Sequence, residues 1–217
     1  LAECPFKAAE TQVSGVVSFN NLPTLCSNIK IATNGKLLTT GDIKGNVEME
    51  RDSSLGIKGS LYGTLKAKSY TEILIKGSLQ TKGGDNTTTE NEGIVFGCNS
   101  KIKIEGGIKA GTSSIYLKQW TSLDTPNVEL ISVSDNSKLP GTLASIHMYK
   151  YAKLYSAYGE TVYPIAENSE TGCDDKYYIH LGSATDAAKQ NLIIEPSNTL
   201  ENSWQCKTLN YKQQQCD

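Results

Sequence analysis

The tightest constraint on this chain is a short unit, Ile-Lys-Gly followed by a small polar residue and an aliphatic one, that returns along residues 41–111. Gly41-Asp42-Ile43-Lys44-Gly45-Asn46-Val47 is echoed by Gly56-Ile57-Lys58-Gly59-Ser60-Leu61 and by Leu74-Ile75-Lys76-Gly77-Ser78-Leu79, with a degraded copy at Gly106-Gly107-Ile108-Lys109-Ala110-Gly111. The isoleucines fall at 43, 57, 75 and 108, so the repeat is roughly 14 to 18 residues long, and the last step is close to two repeats. That is too short for a helical repeat and suits one coil of a β-solenoid, in which every coil adds a strand to stacked parallel sheets.

The chemistry of the unit fits a coil. The apolar residue enters a narrow core, Lys faces solvent, and Gly permits the corner that redirects the chain. The Ser or Asn after Gly is placed to bond its counterpart in the next coil. Between the units, Ile29-Lys30-Ile31, Leu65-Lys66-Ala67 and Ile102-Lys103-Ile104 alternate with period two, as half-buried strands do. The expected class is therefore all-β, a β-solenoid body with disulfide-stapled flanking β regions; the alternative is an antiparallel β-sandwich with Gly-containing turns.

This rhythm resembles the coils of bactofilin-type polymer-forming β-helices and of filamentous bacterial adhesins, over about 90 residues. The resemblance implies self-association or surface display, and it carries no functional residues with it.

Texture divides the chain into an N-terminal cap or assembly arm at 1–27, a solenoid-like region at 28–118 and a β-rich C-terminal region at 119–217. The first contains Thr11 to Phe19, a strand-like stretch between Cys4 and Cys26 that either caps the sheet edges or pairs with a neighbouring subunit. In the last, Val128 to Val133 and Asn191 to Glu195 read as strands, Thr185 to Gln190 as a short helix, and Ala144 to Tyr158 as either. Charge divides in the same way: residues 28–118 hold 13 basic and 9 acidic side chains, the remainder 8 and 14.

Six cysteines, at 4, 26, 98, 173, 206 and 216, form no C-x-x-C pair, and His147 and His180 are the only histidines. Zinc sites need clustered thiolates or imidazoles, so disulfides in an oxidising compartment are expected instead. Sequence proximity favours Cys4–Cys26 and Cys206–Cys216, leaving Cys98–Cys173. The start at Leu1 without Met reads as a mature chain after leader removal, and no run of about 18 apolar residues would span a membrane. Extracellular or cell-surface placement follows. The sequon Asn86-Thr87-Thr88 is a glycosylation acceptor if the source is a eukaryote, and marks an exposed loop.

Of the 21 basic residues only Arg51 is arginine, which argues against a nucleic-acid reader, because base edges and phosphates favour the bidentate guanidinium. No phosphate-cradling or nucleophile-elbow motif occurs, and no cofactor is implied. Asp174-Asp175 lacks calcium-loop spacing and reads as a solvated turn. Two surfaces merit attention. Lys44, Lys58 and Lys76 are expected to stack into a basic stripe able to touch an anionic polysaccharide. Tyr149, Tyr151, Tyr155, Tyr158, Tyr177 and Tyr178 read either as strand packing, the commoner use of strand aromatics, or as a recognition patch, since tyrosine stacks on sugars. A triple-threonine run at 87–89 sits in the expected loop, so an ice-binding array is not indicated. The expected function is a secreted or surface structural or adhesive protein, a non-catalytic subunit of an extracellular assembly whose partners are itself, other surface proteins or glycans. The alternative is a carbohydrate-binding or polysaccharide-cleaving β-protein.

Overall fold

The computed structural model describes residues 4, 8–21, 23–81, 92–111, 113–126, 128–130, 146–149, 151–156, 159–162, 192–194, 198–199 and 216. Its strands stack into three faces of a parallel β-solenoid. Face A holds β1 (Ala8–Val13), the second half of β3 (Thr24–Ile31), β6 (Val47–Met49), β9 (Leu65–Ala67), β12 (Glu92–Phe96), β15 (Ser114–Leu117), β18 (Ile146–Met148) and β21 (Leu192–Ile194). Face B holds β2 (Val16–Phe19), β4 (Lys36–Thr39), β7 (Ser54–Ile57), β10 (Glu72–Ile75), β13 (Lys101–Ile104), β16 (Ser122–Asp124) and β19 (Lys153–Ser156). Face C holds the first half of β3, then β5 (Asp42–Lys44), β8 (Leu61–Tyr62), β11 (Leu79–Gln80), β14 (Ile108–Gly111) and β17 (Val128–Leu130).

Among the described residues every pairing between coils is parallel, which excludes the sandwich. Antiparallel contacts occur there only where β19 meets β20 (Gly159–Val162) and β21 meets β22 (Asn198–Thr199). These two hairpins close the C-terminal ends of faces B and A. The stacks also run past both expected boundaries: β1 and β2 join faces A and B below residue 28, and β16 to β19 extend them beyond 118. Residues 144–158, ambiguous in sequence, contribute the strands β18 and β19; Thr185 to Gln190 lies outside the described residues.

The core is one aliphatic column per inward position. On face A, Ile29, Val47, Leu65, Ile94 and Ile115 stack in register; on face B, Leu37, Leu55, Ile73, Ile102 and Leu123; on face C, Ile43, Leu61, Leu79, Ile108 and Val128. All are buried. Burying each such side chain contributes about 1.5–3 kcal/mol, so the alternation of apolar and charged residues is enough to set which way each strand faces.

Register corrects the reading of the repeat. Ile57 stacks on Ile75, but Ile43 stacks on Leu61, so residues 41–47 and 56–61 are different corners of one coil rather than successive copies. The undecorated coil is 18 residues, as in the pairings Leu37↔Leu55 and Val47↔Leu65. Both corners need an inward aliphatic, an outward polar residue and a tight glycine, which is why they look alike.

Small polar residues tie the coils together as the unit implies. Ser60 N–H donates to Asp42 Oδ1 at 2.7 Å and Ser78 N–H to Ser60 Oγ at 3.0 Å at the B-to-C corner. At the C-to-A corner, Asn46 N–H donates to Asn28 Oδ1 at 2.9 Å and Thr64 N–H to Asn46 Oδ1 at 3.0 Å. Each bond satisfies a backbone donor that the bend removes from the sheet ladder.

Two disulfides join described residues, Cys4–Cys26 and Cys98–Cys216. The first matches expectation. The second replaces both Cys98–Cys173 and Cys206–Cys216, because in a coiled chain proximity along the sequence is a poor guide to proximity in space. Cys98 lies in a turn of the fifth complete coil, where residue 216 comes back against it. Cys173 and Cys206 lie outside the described residues.

Candidate functional site

The most distinctive surface is the corner between faces A and B. Six successive A-to-B turns, at 32–35, 50–53, 68–71, 97–100, 118–121 and 149–152, all contain four residues. The third residue of each is left-handed: Asn34, Asp52, Tyr70, Asn99, Trp120 and Tyr151 have φ between 56° and 62°. The N–H groups of the first four bond onward to the next coil, Asn34 to Arg51 O at 3.4 Å, Asp52 to Ser69 O at 3.2 Å, Tyr70 to Cys98 O at 2.8 Å and Asn99 to Gln119 O at 3.0 Å. The result is one continuous column of turns. Buried hydroxyls complete it, with Ser53 Oγ donating to Glu50 O and Thr71 Oγ1 donating to Ser100 Oγ at 3.0 Å.

Asn and Asp enter the left-handed region readily; Tyr and Trp do so at a cost of roughly 1–2 kcal/mol each. Three of six positions nevertheless carry an aromatic ring, and Tyr70 (45%) and Trp120 (49%) are among the most exposed large side chains. Trp120 and Tyr151 stack with centroids 5.6 Å apart and planes 13° from parallel. Arg51, the chain's one arginine, sits over the Tyr70 ring at 4.8 Å and 3.5 Å from Asp52. Beside this column, Lys118 Nζ lies 4.2 Å from the Tyr149 ring centre and donates to the Tyr149 hydroxyl at 3.1 Å.

The tyrosines named from sequence separate accordingly. Tyr149 is buried in the turn, Tyr151 is in the left-handed column, and Tyr155 is half-buried on face B opposite Asp124. They are not one patch. Tyr158, Tyr177, Tyr178, Asp174 and Asp175 lie outside the described residues, as does the sequon at Asn86. The left-handed column escaped sequence reading because its common property is a backbone angle, while its side chains differ. The available signal was a constant four-residue gap between strands.

The lysine stripe is reduced from three to two. Lys58 and Lys76 follow the paired Ile57 and Ile75 and stand in successive coils at the B-to-C corner, both exposed. Lys44 belongs to face C, opposite Tyr62, because its Ile-Lys-Gly unit forms the other corner. Outside face B, an open groove of ≈ 600 Å³ is lined by Lys36, Gly56, Glu72, Leu74, Lys101 and Asp124. Its charge is mixed. No group of three His, Cys, Asp or Glu suited to a metal ion occurs among the described residues, and none of their helices is long and apolar enough to cross a membrane.

The two ends of the solenoid differ. The C-terminal edges of faces A and B pair with the antiparallel strands β22 and β20. At the N-terminal end, β2 pairs with β4 alone among the described residues. Lys36 N–H donates to Gly15 O at 2.8 Å and Thr40 N–H to Phe19 O at 3.1 Å, so the backbone groups of Val16 and Ser18 point away from the body. Residues 14–20 carry no charge and no proline, and Val16 is 72% exposed.

Comparison with protein-family models, with curated proteins and with solved structures finds no match for this chain.

Proposed function

We propose that this protein is a secreted or cell-surface structural and adhesive subunit, whose solenoid body joins another copy through its N-terminal edge. The observation that carries the reading is the inequality of the ends. Natural proteins blunt exposed sheet edges with charges, prolines, bulges or covering segments. The C-terminal end has its hairpins, whereas Val16–Phe19 has no charge, no proline and an outward row of backbone donors and acceptors. Such an edge pairs with an identical one about a two-fold axis, each strand supplying the hydrogen bonds the other lacks. The two disulfides support an oxidising compartment.

Sizing chromatography and negative-stain microscopy of the native protein test this directly. The expected result is end-to-end dimers that become monomers in a Val16→Lys/Ser18→Lys variant with an unchanged circular-dichroism spectrum. A native protein that stays monomeric at its highest soluble concentration would remove the proposal.

A further inference from the structure

Beyond assembly, the A-to-B corner presents a built slot. In chain order its column runs Tyr70, Asn99, Trp120, Tyr151, one residue per coil, with Tyr70 and Trp120 exposed and the other two half-buried. Arg51, which covers one face of Tyr70, comes from the coil before it. Tyr151, which covers one face of Trp120, comes from the coil after it. The covered faces therefore look away from each other, and the two uncovered faces look across the coil of Asn99. Asn99 is half-buried and its carboxamide makes no hydrogen bond among the described residues. We propose that Tyr70, Asn99 and Trp120 form a binding slot for a single pyranose ring of a neutral glycan, held between the two aromatic faces over the asparagine.

Width selects the ligand. Adjacent coils are separated by the inter-strand distance of about 4.8 Å, so Tyr70 and Trp120 stand roughly 9.6 Å apart along the axis. A flat ring touching both walls at about 3.5–4.0 Å would fill only ~7–8 Å. A puckered sugar ring, thickened by its axial hydrogens, takes up the difference. Its ring C–H groups face the electron-rich aromatic surfaces, and its hydroxyls match the donor and acceptor of the Asn99 carboxamide. Charge selects as well. Arg51 is balanced by Asp52 at 3.5 Å and Lys68 by Glu50 at 2.8 Å, while Lys118 is turned onto Tyr149 at 3.1 Å, an environment suited to a neutral sugar.

The arrangement also accounts for the left-handed aromatics. Tyr70 and Trp120 are held in a conformation that Asn would adopt more easily, and Asn does occupy positions 34 and 99 of the same column. The sole small residue between the two rings is at the position the slot needs open.

Saturation-transfer difference NMR on the native protein, using cello-, chito- and manno-oligosaccharides with adenosine as a planar control, tests the slot. Saturation is expected on the ring protons of at least one oligosaccharide and not on adenosine. Trp120→Ala and Tyr70→Ala should each weaken that binding by about tenfold or more. Asn99→Tyr should abolish it by filling the slot with a third ring while leaving the melting temperature within a few degrees, because tyrosine is already accommodated at positions 70 and 151. Lys109→Gln on face C should leave it unchanged. Binding of none of the three sugars, binding of adenosine in their place, or full affinity in Asn99→Tyr would each overturn the inference. None of these outcomes depends on whether the N-terminal edge self-associates.

Discussion

The pitch of the solenoid is set where glycine backbones touch between coils, and Gly63→Ala tests that claim most sharply. Gly63 has φ +157°, and a Cβ built there would lie 2.0 Å from the carbonyl oxygen of Gly45 in the coil below. The Cβ position is fixed by the backbone and its partner is a backbone oxygen, so no rotamer change relieves the overlap. Opening the gap to about 3.2 Å would move the coils apart by roughly 1.2 Å. The adjacent ladder bonds, Gly45 N–H to Tyr62 O at 3.0 Å and Val47 N–H to Thr64 O at 2.9 Å, would then be lost. Two such bonds are worth about 1–3 kcal/mol, and holding Ala at that φ adds roughly 1–3 kcal/mol. The expected loss is about 4 kcal/mol, or some 8–16 °C in midpoint for a chain of this size. Gly15→Ala is the control for conformation alone: its φ is +67° with nothing within 4 Å of the new Cβ, so about 1 kcal/mol is expected. Gly56→Ala is the control for crowding against a movable partner, the Leu38 Cδ2 at 2.8 Å, and should cost under about 1 kcal/mol. Urea unfolding followed by far-ultraviolet circular dichroism measures all three. A Gly63→Ala loss no larger than that of Gly15→Ala would show that inter-coil backbone contact does not set the pitch.

Two further outcomes follow from the same geometry. Cys98 and Cys216 are 118 residues apart, so removing their bond in Cys98→Ser/Cys216→Ser frees a long loop in the unfolded chain and should cost about 4 kcal/mol in thermal unfolding. Peptide mapping under non-reducing conditions should recover Cys98 joined to Cys216 and not to Cys173. Tyr70→Asn relieves roughly 1 kcal/mol of left-handed strain but forfeits about 0.5–1 kcal/mol of cation–π contact with Arg51. Its stability should therefore stay within about 0.5 kcal/mol of the parent in urea titration; a large loss would mean the ring is structural.

How much of this could be read from residues alone depends on which part of the coil carried the information. Strand faces were legible, because Ile29-Lys30-Ile31 or Ile102-Lys103-Ile104 can bury only one side. The solenoid class was legible for the same reason, with Gly supplying the corners. The phase of the repeat was not. Ile43-Lys44-Gly45 and Ile57-Lys58-Gly59 satisfy the same local demand at two different corners, and only register distinguishes them. That single ambiguity put Lys44 in the wrong stripe. Cys98–Cys216 was hidden because coiling brings together residues 118 apart. The aromatic column was hidden because Asn34, Asp52, Tyr70, Asn99, Trp120 and Tyr151 share a backbone angle rather than a chemistry.

The pattern of turn lengths argues that the A-to-B corner is where the fold serves its ligand. Connections from face C to face A vary widely, from Gly45-Asn46 between β5 and β6 to residues 131–145 between β17 and β18. Connecting segments at a surface ordinarily tolerate such change. After a first turn of two residues, Ser14-Gly15, the A-to-B turns hold at four residues through the next six coils. Length there is constrained because the left-handed residues from Asn34 to Asn99 hand their N–H groups to the turn above, as Tyr70 does to Cys98 O at 2.8 Å and Asn99 to Gln119 O at 3.0 Å. One inserted residue would break that column and shift every ring beyond it out of line. Hydrogen bonding alone, however, requires only the backbone angle, which Asn34 and Asn99 supply without strain. The backbone column explains why the turns cannot lengthen; it does not explain why two rings flank a short residue at their centre. A ligand gripped between Tyr70 and Trp120 explains both.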